Sequence, residues 1–299
     1  MEITLVVLAA GQSARYGKLK QLDQFGPHGE SLMDYSVHDA HRAGLSRVVV
    51  VTREEILPSV RAHVKRYQDL IAVDIAVQQT SLPHSFTDRA RRHKPWGTAH
   101  AVLSAESLVS GPFIVVNADD FYGRTAHEQM GAYLRNCDPT DPTFAMVPFT
   151  LSTTLSPHGG VSRGVCTVGG GSVTEIIEIV DLRRNRDGVT GFTLDGQNKS
   201  FEGREPVSMN YWGFTPAIFP LLAAEFERFV ATAEADAEFP ISDTVNTMLR
   251  ERRARLKMVD ESEEWFGVTH PNDKFWVVAG FADLTAAGIY SILLFLTCN

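Results

Sequence analysis

The chain has 299 residues, 44% hydrophobic and 21% charged, and 28 Lys and Arg against 36 Asp and Glu leave a net charge of −8. That length supports one large or two modest domains with a core that needs no staples. The acidic balance argues against a general nucleic-acid binder, which needs a cationic footprint, but not against an anionic small substrate.

Residues 3–10 form a continuous apolar run, the pattern of a parallel strand covered on both faces. The opening MEITLVVLAAG has no basic stretch of the kind that starts a signal peptide. Helical spacing over 32–43 stops at Gly44, a C-terminal cap. RVVVVT at 47–52 predicts a second buried strand, 54–67 a helix that tolerates Pro58 near its start, and 71–77 a third strand. A helix is predicted over 98–109, a fourth strand over 113–117, ending in Asp119-Asp120, and a helix over 126–135. This βαβα order predicts an open parallel sheet with helices on both faces.

The second half changes character. Strands are predicted at 144–149, 164–168, 173–179 and 207–215, with glycine turns at Gly159-Gly160 and Gly169-Gly170-Gly171. Helices follow at 219–233 and 242–253, with Asp243 in a capping arrangement at the second. The polar stretch 183–203 reads as an exposed loop or hairpin. No linker divides the chain. One domain is expected over 1–280, with halves 1–140 and 141–280, followed by a tail, 281–299. Residues 280–290 read as an amphipathic helix and turn. The final SILLFLTCN is more apolar than a free tail should be. Docking on the core, a homo-oligomer contact or an altered reading frame would each account for it. The run 286–298 is too short to span a bilayer. Cys137, Cys166 and Cys298 match neither a disulfide framework nor a metal knuckle, so a reducing, cytoplasmic setting is expected.

After the first strand comes LAAGQSARYGKLKQL, residues 8–22. Open α/β sheets place ligands at such strand ends. Gly11 and the small Ser13 and Ala14 let backbone N–H groups approach a phosphate, and Arg15 and Lys20 add positive charge. A sharp turn with two solvated cations would use the same residues. The loop has neither the G-x-G-x-x-G of a dinucleotide site nor the G-K-[ST] of a P-loop. At the fourth strand's end, Asp119 suits a hard cation such as Mg²⁺, with an Asx turn over Asn117–Asp120 as the lesser alternative. Asp120 is expected to point elsewhere unless the chain turns there.

Several segments, in order, resemble the nucleotidyltransferase superfamily over residues 3–278. LAAG-x-x-x-R-[aromatic]…K resembles its opening motif. KPWGTAHAV (94–102) is similar to the G-T-A/G-H-A segment of uridylyltransferases, and VVNADDFYG (115–123) to the acidic strand end. VTEIIE (173–178) and MNYWGF (209–214) resemble the two sugar-contact segments, and ISDTVN (241–246) the helix opening that follows. The resemblance implies a Rossmann-like α/β fold: an open mixed, mainly parallel sheet with helices on both faces and a smaller β-rich acceptor lobe. It implies Mg²⁺-dependent joining of a nucleoside triphosphate to a sugar 1-phosphate, with release of pyrophosphate. These two substrates would be the partners, with no nucleic acid and no membrane span. By the same resemblance Arg15 and Lys20 are catalytic, and Leu8, Ala10, Gly11, Gly97 and Thr98 bind nucleotide. Gly164, Glu178 and Asn210 bind the sugar, and Asp119 binds the metal. His100 reads as a packing residue.

Three departures stand out. Where many relatives carry a second metal ligand, WFGVTHPND (265–273) offers Thr269 or, less directly, Asp273, which also reads as a helix-start acid. Ile179, Val180 and Asp181 follow Glu178 where sugar-specific relatives carry Lys. The stretch RARRHKPW (89–96) lacks the Gln that usually precedes the G-T segment, and its cations could steer an anion or be a solvated loop. These departures keep open a cytidylyltransferase acting on a non-sugar phosphate such as phosphocholine, and a catalytically silent protein that binds nucleotide or sugar phosphate and regulates a partner. A glycosyltransferase fits poorly, because Asp119-Asp120 lacks the spacing of a D-x-D motif.

Overall fold

Strand β1 (Thr4–Leu8) is buried along its whole length, because its alternate side chains enter two different cores. Leu5 and Val7 pack on one face, Val6 and Leu8 on the other, the period-2 alternation of a central strand. A computed structural model describes residues 2–11, 19–80, 94–234, 237–260, 265–291 and 294–295. Strands β2 (Arg47–Thr52), β3 (Ala72–Val77) and β4 (Phe113–Asn117) join β1 in parallel, in the order β3-β2-β1-β4. This is the predicted parallel core.

Helix α1 (Leu32–Arg42) begins at a capping box in which Ser31 and Asp34 satisfy each other's backbone N–H. The buried Asp34 carboxylate also accepts bonds from His63, Arg66 and Tyr67, tying α1 to the helical stretch around α2 (Leu57–Val64). Gly44 ends α1 at φ +82°, as a C-terminal cap requires. Helix α3 (Thr98–Leu103) stops earlier than predicted, and a 3-10 turn, Glu106–Leu108, follows it. A short strand β5 (Asp120–Phe121) precedes α4 (Gly123–Leu134).

The second half extends the same sheet, now mixed. Its strands are β6 (Thr143–Met146), β7 (Phe149–Thr150), β8 (Val161–Gly169), β9 (Ser172–Asn185), β10 (Gly188–Thr193), β11 (Asn198–Phe201), β12 (Pro206–Ser208) and β13 (Trp212–Phe214). The predicted strand 207–215 breaks into β12 and β13, because Asn210 adopts left-handed backbone at φ +59°. The stretch 183–203 is a hairpin, with β10 and β11 folded back from β9. Helices α5 (Ile218–Thr232) and α6 (Ile241–Arg250) pack with α3 on one face of the sheet, while α1, α2 and α4 cover the other.

Strand β14 (Arg255–Met258) has no counterpart among the predicted elements. It runs between β6 and β9 and makes the sheet continuous. The two-residue β15 (Phe266–Gly267) pairs with β5. Helix α7 (Asp273–Ala286) crosses the boundary expected after residue 280. Beyond it, Tyr290 is buried, donates its hydroxyl to Asp39 and packs with Tyr35, Phe121 and Phe281. Docking on the core therefore describes the chain as far as Tyr290 and Leu294, while Cys298 lies outside the described residues. Cys137 and Cys166 are free thiols. No helix among the described residues is long and apolar enough to cross a membrane.

Candidate active site

A cavity of about 1010 Å³ opens at the C-terminal ends of β1, β3 and β4, where a parallel sheet places its ligands. Its far wall comes from β8, β9, β12 and the start of α6. Leu8, Ala10, Gly11, Lys20, Gly97, Thr98, Asp119, Gly164, Glu178, Asn210 and Thr269 all line it. Arg15, with Ser13 and Ala14, lies outside the described residues, as do 89–93 of the cationic stretch.

At the near end the chain after β1 is stapled from two sides. Gly11 O accepts Gln21 Nε2 at 2.6 Å and Arg53 Nη1 at 2.6 Å, and Arg53 also reaches Ala10 O. Across from it, Gly97 begins α3 at φ +114°. The start of α3 is clamped to the segment before α6: Ala99 N donates to Phe239 O, and Ile241 N to Thr98 Oγ1. A Cβ on Gly97 would lie 2.6 Å from Phe239 O. Gly97→Ala should therefore lose about 2–4 kcal/mol from strain and overpacking combined. Denaturant unfolding measures this, and an unchanged midpoint would mean that the clamp is soft. Gln78, at the end of β3, donates Nε2 to Gly97 O at 3.0 Å and lies 3.2 Å from His100 Nδ1. The half-buried His100 packs against Phe226 and Trp96.

Lys20 Nζ and Asp119 Oδ2 are 2.6 Å apart. Burial alone would lower the Lys20 pKa, but Asp119, Asp120 and Asp273 together raise it. The chain does turn after Asn117, so Asp120 also lines the cavity rather than pointing away. Asn117 Nδ2 donates to Asp120 Oδ2 at 2.8 Å. Burial and the adjacent Asp119 charge push the Asp120 carboxyl up to about 6, against the pull of Lys20. Among the described residues no group of three or more His, Cys, Asp or Glu could cage a metal.

Pairing of β15 with β5 sets Gly267 opposite Asp120 and brings Thr269 to the cavity wall. Asp273 does not line the cavity. Its Oδ1 accepts Ser156 Oγ at 2.6 Å, and its Oδ2 accepts the backbone N–H groups of Thr269 and His270 at 3.0 and 2.7 Å. Asp273 is thus engaged in holding the turn before α7, in keeping with its alternative reading as a helix-start acid.

At the far end, register sets three residues in a row across β9, β8 and β12: Glu178 opposite Gly164, and Gly164 opposite Ser208. Only glycine fits at 164 without a shift, since a Cβ there would lie 2.9 Å from Ile176 Cγ2. The left-handed turn at Asn210 carries that residue to the same wall. Arg163 is buried at 8% exposure, with Nη1 on Ser162 O and Nη2 on Thr154 O. Burial pulls its pKa down to about 10 despite nearby Asp120, Glu178 and Asp273, so it stays charged at neutral pH. Asp243 lines the cavity instead of capping α6, and burial raises its pKa.

Burial, then the charge of Asp243, push Glu178 from 4.5 to about 7, with Arg163 opposing. A carboxyl raised in the folded state favours folding while it is protonated. That contribution is complete below about 4.5 and is lost as pH rises through about 7. Glu178→Gln should therefore be more stable than wild type by about 2–3 kcal/mol near pH 8 and equal to it near pH 4.5. Thermal melts at the two pH values check this, and an identical difference at both would detach Glu178 from the pH dependence.

Sequence reasoning missed Gln78, Arg163 and the cavity role of Asp243. The stretch just before Gly97 has no glutamine, and Gln78 reaches Gly97 from 19 residues earlier in the chain. A polar residue closing a predicted buried strand was the available signal. Arg163 carried no local signal, because its neighbours come from distant segments.

A parallel sheet with ligand-accessible strand ends, a lysine–carboxylate pair there and a β-rich lobe facing it define a nucleotidyltransferase fold. In comparison with known proteins, residues 5–120, from β1 to the acidic strand end, match the model of the MobA-like NTP transferase domain. No curated protein matches the sequence. Among solved structures, the inositol-1-phosphate CTP transferase from T. maritima superposes with a TM-score of 0.64 at 13% identity, covering 94% of this chain and 96% of its own. A candidate glucose-1-phosphate thymidylyltransferase from Bacillus anthracis, solved with sucrose, gives 0.63 at 13% identity, with coverage of 94% and 96%. A UDP-glucose pyrophosphorylase complexed with UDP-glucose gives 0.58 at 16% identity, with coverage of 95% and 99%. At these identities the likeness is one of fold.

Proposed function

We propose that the protein joins a nucleoside triphosphate to a phosphorylated small molecule, a sugar 1-phosphate in first place, releasing pyrophosphate. The observation that carries this reading is one cavity with Lys20 and Asp119 at one wall and the Glu178–Gly164–Ser208 row with Asn210 at the other. A phosphate oxygen of the acceptor attacks the α-phosphorus in line. The bond from that phosphorus to the bridging oxygen breaks, and pyrophosphate leaves with the electron pair. The nucleophile is already an anion, so no protein base is needed, and catalysis is positioning plus charge neutralisation.

Lys20, and Arg15 by its motif position, neutralise the triphosphate. Leu8, Ala10, Gly11, Gly97 and Thr98 line the nucleotide end, with Gln78 as the amide that reads the base. Glu178 and Asn210 accept hydrogen bonds from acceptor hydroxyls. Asp119 would hold Mg²⁺, with the Thr269 hydroxyl as a neutral second donor. This donor set of hard oxygens without a full cage fits an ion that takes one or two carboxylates plus substrate phosphates. When bound, the ion supplies charge stabilisation at the phosphates.

Ile179, Val180 and Asp181 after Glu178 favour a second reading, transfer to a non-sugar phosphate such as phosphocholine. Pyrophosphate release with Mg²⁺ tests both, using each common nucleoside triphosphate against sugar 1-phosphates, inositol 1-phosphate and phosphocholine. Release that requires one pair and disappears in Lys20→Ala is expected. Silence from folded protein that binds triphosphate would favour a regulatory, non-catalytic role.

A further inference from the structure

Two buried N–H donors at the far end of the cavity have no partner among the described residues: Arg163 Nε and Trp265 Nε1. Both residues line the cavity, and the Arg163 guanidinium sits over the Trp265 ring, 5.1 Å from its centre. Buried donors are nearly always matched, so two unmatched donors side by side point to a hydrogen-bond acceptor from outside the protein. The local design supports this. Gly267 carries no side chain, and a Cβ there would lie 2.2 Å from the Trp265 ring and 2.6 Å from Asp120 Oδ1. The two backbone carbonyls on Arg163 Nη1 and Nη2 fix the guanidinium plane.

Charge identifies the acceptor group. The cations among the described lining residues are Lys20, Lys94 and Arg163. Lys20 is engaged by Asp119, and Lys94 stands in the segment leading to Gly97 at the nucleotide end. Arg163 is thus the described cation on the wall that carries Glu178 and Gly164. It also stands opposite Ile179 in the β8–β9 register, one residue past Glu178. A fixed guanidinium with free N–H groups suits a tetrahedral dianion better than a neutral hydroxyl.

We infer that Arg163 and Trp265 form the anion site that holds the phosphate of the acceptor, with Arg163 supplying positive charge to the cavity wall from β8. This rests on the transfer reading for the identity of the ligand, but the anion site can be measured separately. Inorganic phosphate is titrated calorimetrically into the full-length protein with its triphosphate site filled by an α,β-methylene nucleoside triphosphate. Wild type is compared with Arg163→Lys, which keeps the charge but loses the fork, and with Trp265→Phe, which keeps the ring but loses the N–H. Both variants should weaken phosphate binding, Arg163→Lys by about tenfold or more. Both should raise the acceptor KM in parallel and leave triphosphate affinity within about twofold.

Trp265→Phe keeps an aromatic ring at the position under Arg163, so the test survives if Arg163→Lys does not fold. Unchanged phosphate affinity in the folded variants overturns the inference, as does an equal loss of triphosphate affinity or a wild type that binds no phosphate at about 10 mM. Weakened phosphate binding in the variants, with no pyrophosphate release from any substrate pair, would uphold the anion site and remove the transfer reading. Turnover with an acceptor KM that neither variant changes would do the reverse.

Discussion

Lys20→Ala should keep its fold and lose at least about a hundredfold in turnover, the scale set by deleting one preorganised charge contact. Folding has little at stake. Lys20 sits in a three-residue 3-10 turn, Lys20–Leu22, and its side-chain bond goes to Asp119. With side-chain exposures of 17% and 31%, that ion pair is worth on the order of 1 kcal/mol or less. Chemistry has more at stake, because negative charge builds on the α-phosphate as the acceptor oxygen closes in. Lys20 has three N–H donors and spends one on Asp119, so two are available to that phosphate. Removing it frees the carboxylate, so Mn²⁺ binding, followed by electron paramagnetic resonance, should be undiminished. A folded Lys20→Ala protein with near-normal turnover would take Lys20 out of the mechanism.

Asp119→Asn should show the complementary pattern, losing both turnover and Mn²⁺ binding. Roughly a thousandfold loss of turnover in Mg²⁺ is expected, corresponding to several kcal/mol of charge stabilisation at the phosphates. The amide matches the carboxylate in size and still accepts a bond from Lys20, so the melting temperature should barely move. Full turnover at ordinary Mg²⁺ would shift the metal to Asp120, the other carboxylate on that wall. The two variants together separate a residue that acts on the phosphate from one that acts on the metal.

Much of this site is local in the chain, and that part was legible. The loop after β1 lies next to its strand, Asp119 follows β4 by two residues, and Gly97 and Thr98 are adjacent. Short spacing alone brings such groups to a strand end. The same holds for elements bounded by strong punctuation: RVVVVT coincides with β2, and Gly44 closes α1. Strand β14 was not legible, since Arg-Leu-Lys-Met is too short and too charged to stand out until β6 and β9 flank it.

Read along the chain, periodicity predicts the parallel α/β core, short motifs mark the strand-end loop and the acidic turn, and the family resemblance of two further motifs implies that Glu178 and Asn210 act together. Each depends on periodicity or on motifs a few residues long. Only the tertiary structure decided that these clusters share one cavity, and that Gln78, Arg163 and Asp243 line it with them. It also decided that Asp273 is engaged by Ser156 and the turn at Thr269 and His270, and that the C-terminal segment docks through Tyr290 on Asp39. The reason is physical. A hydrogen bond between residues 117 or 251 positions apart is set by how helices and strands pack, and the spacing of residues along the chain carries no trace of it.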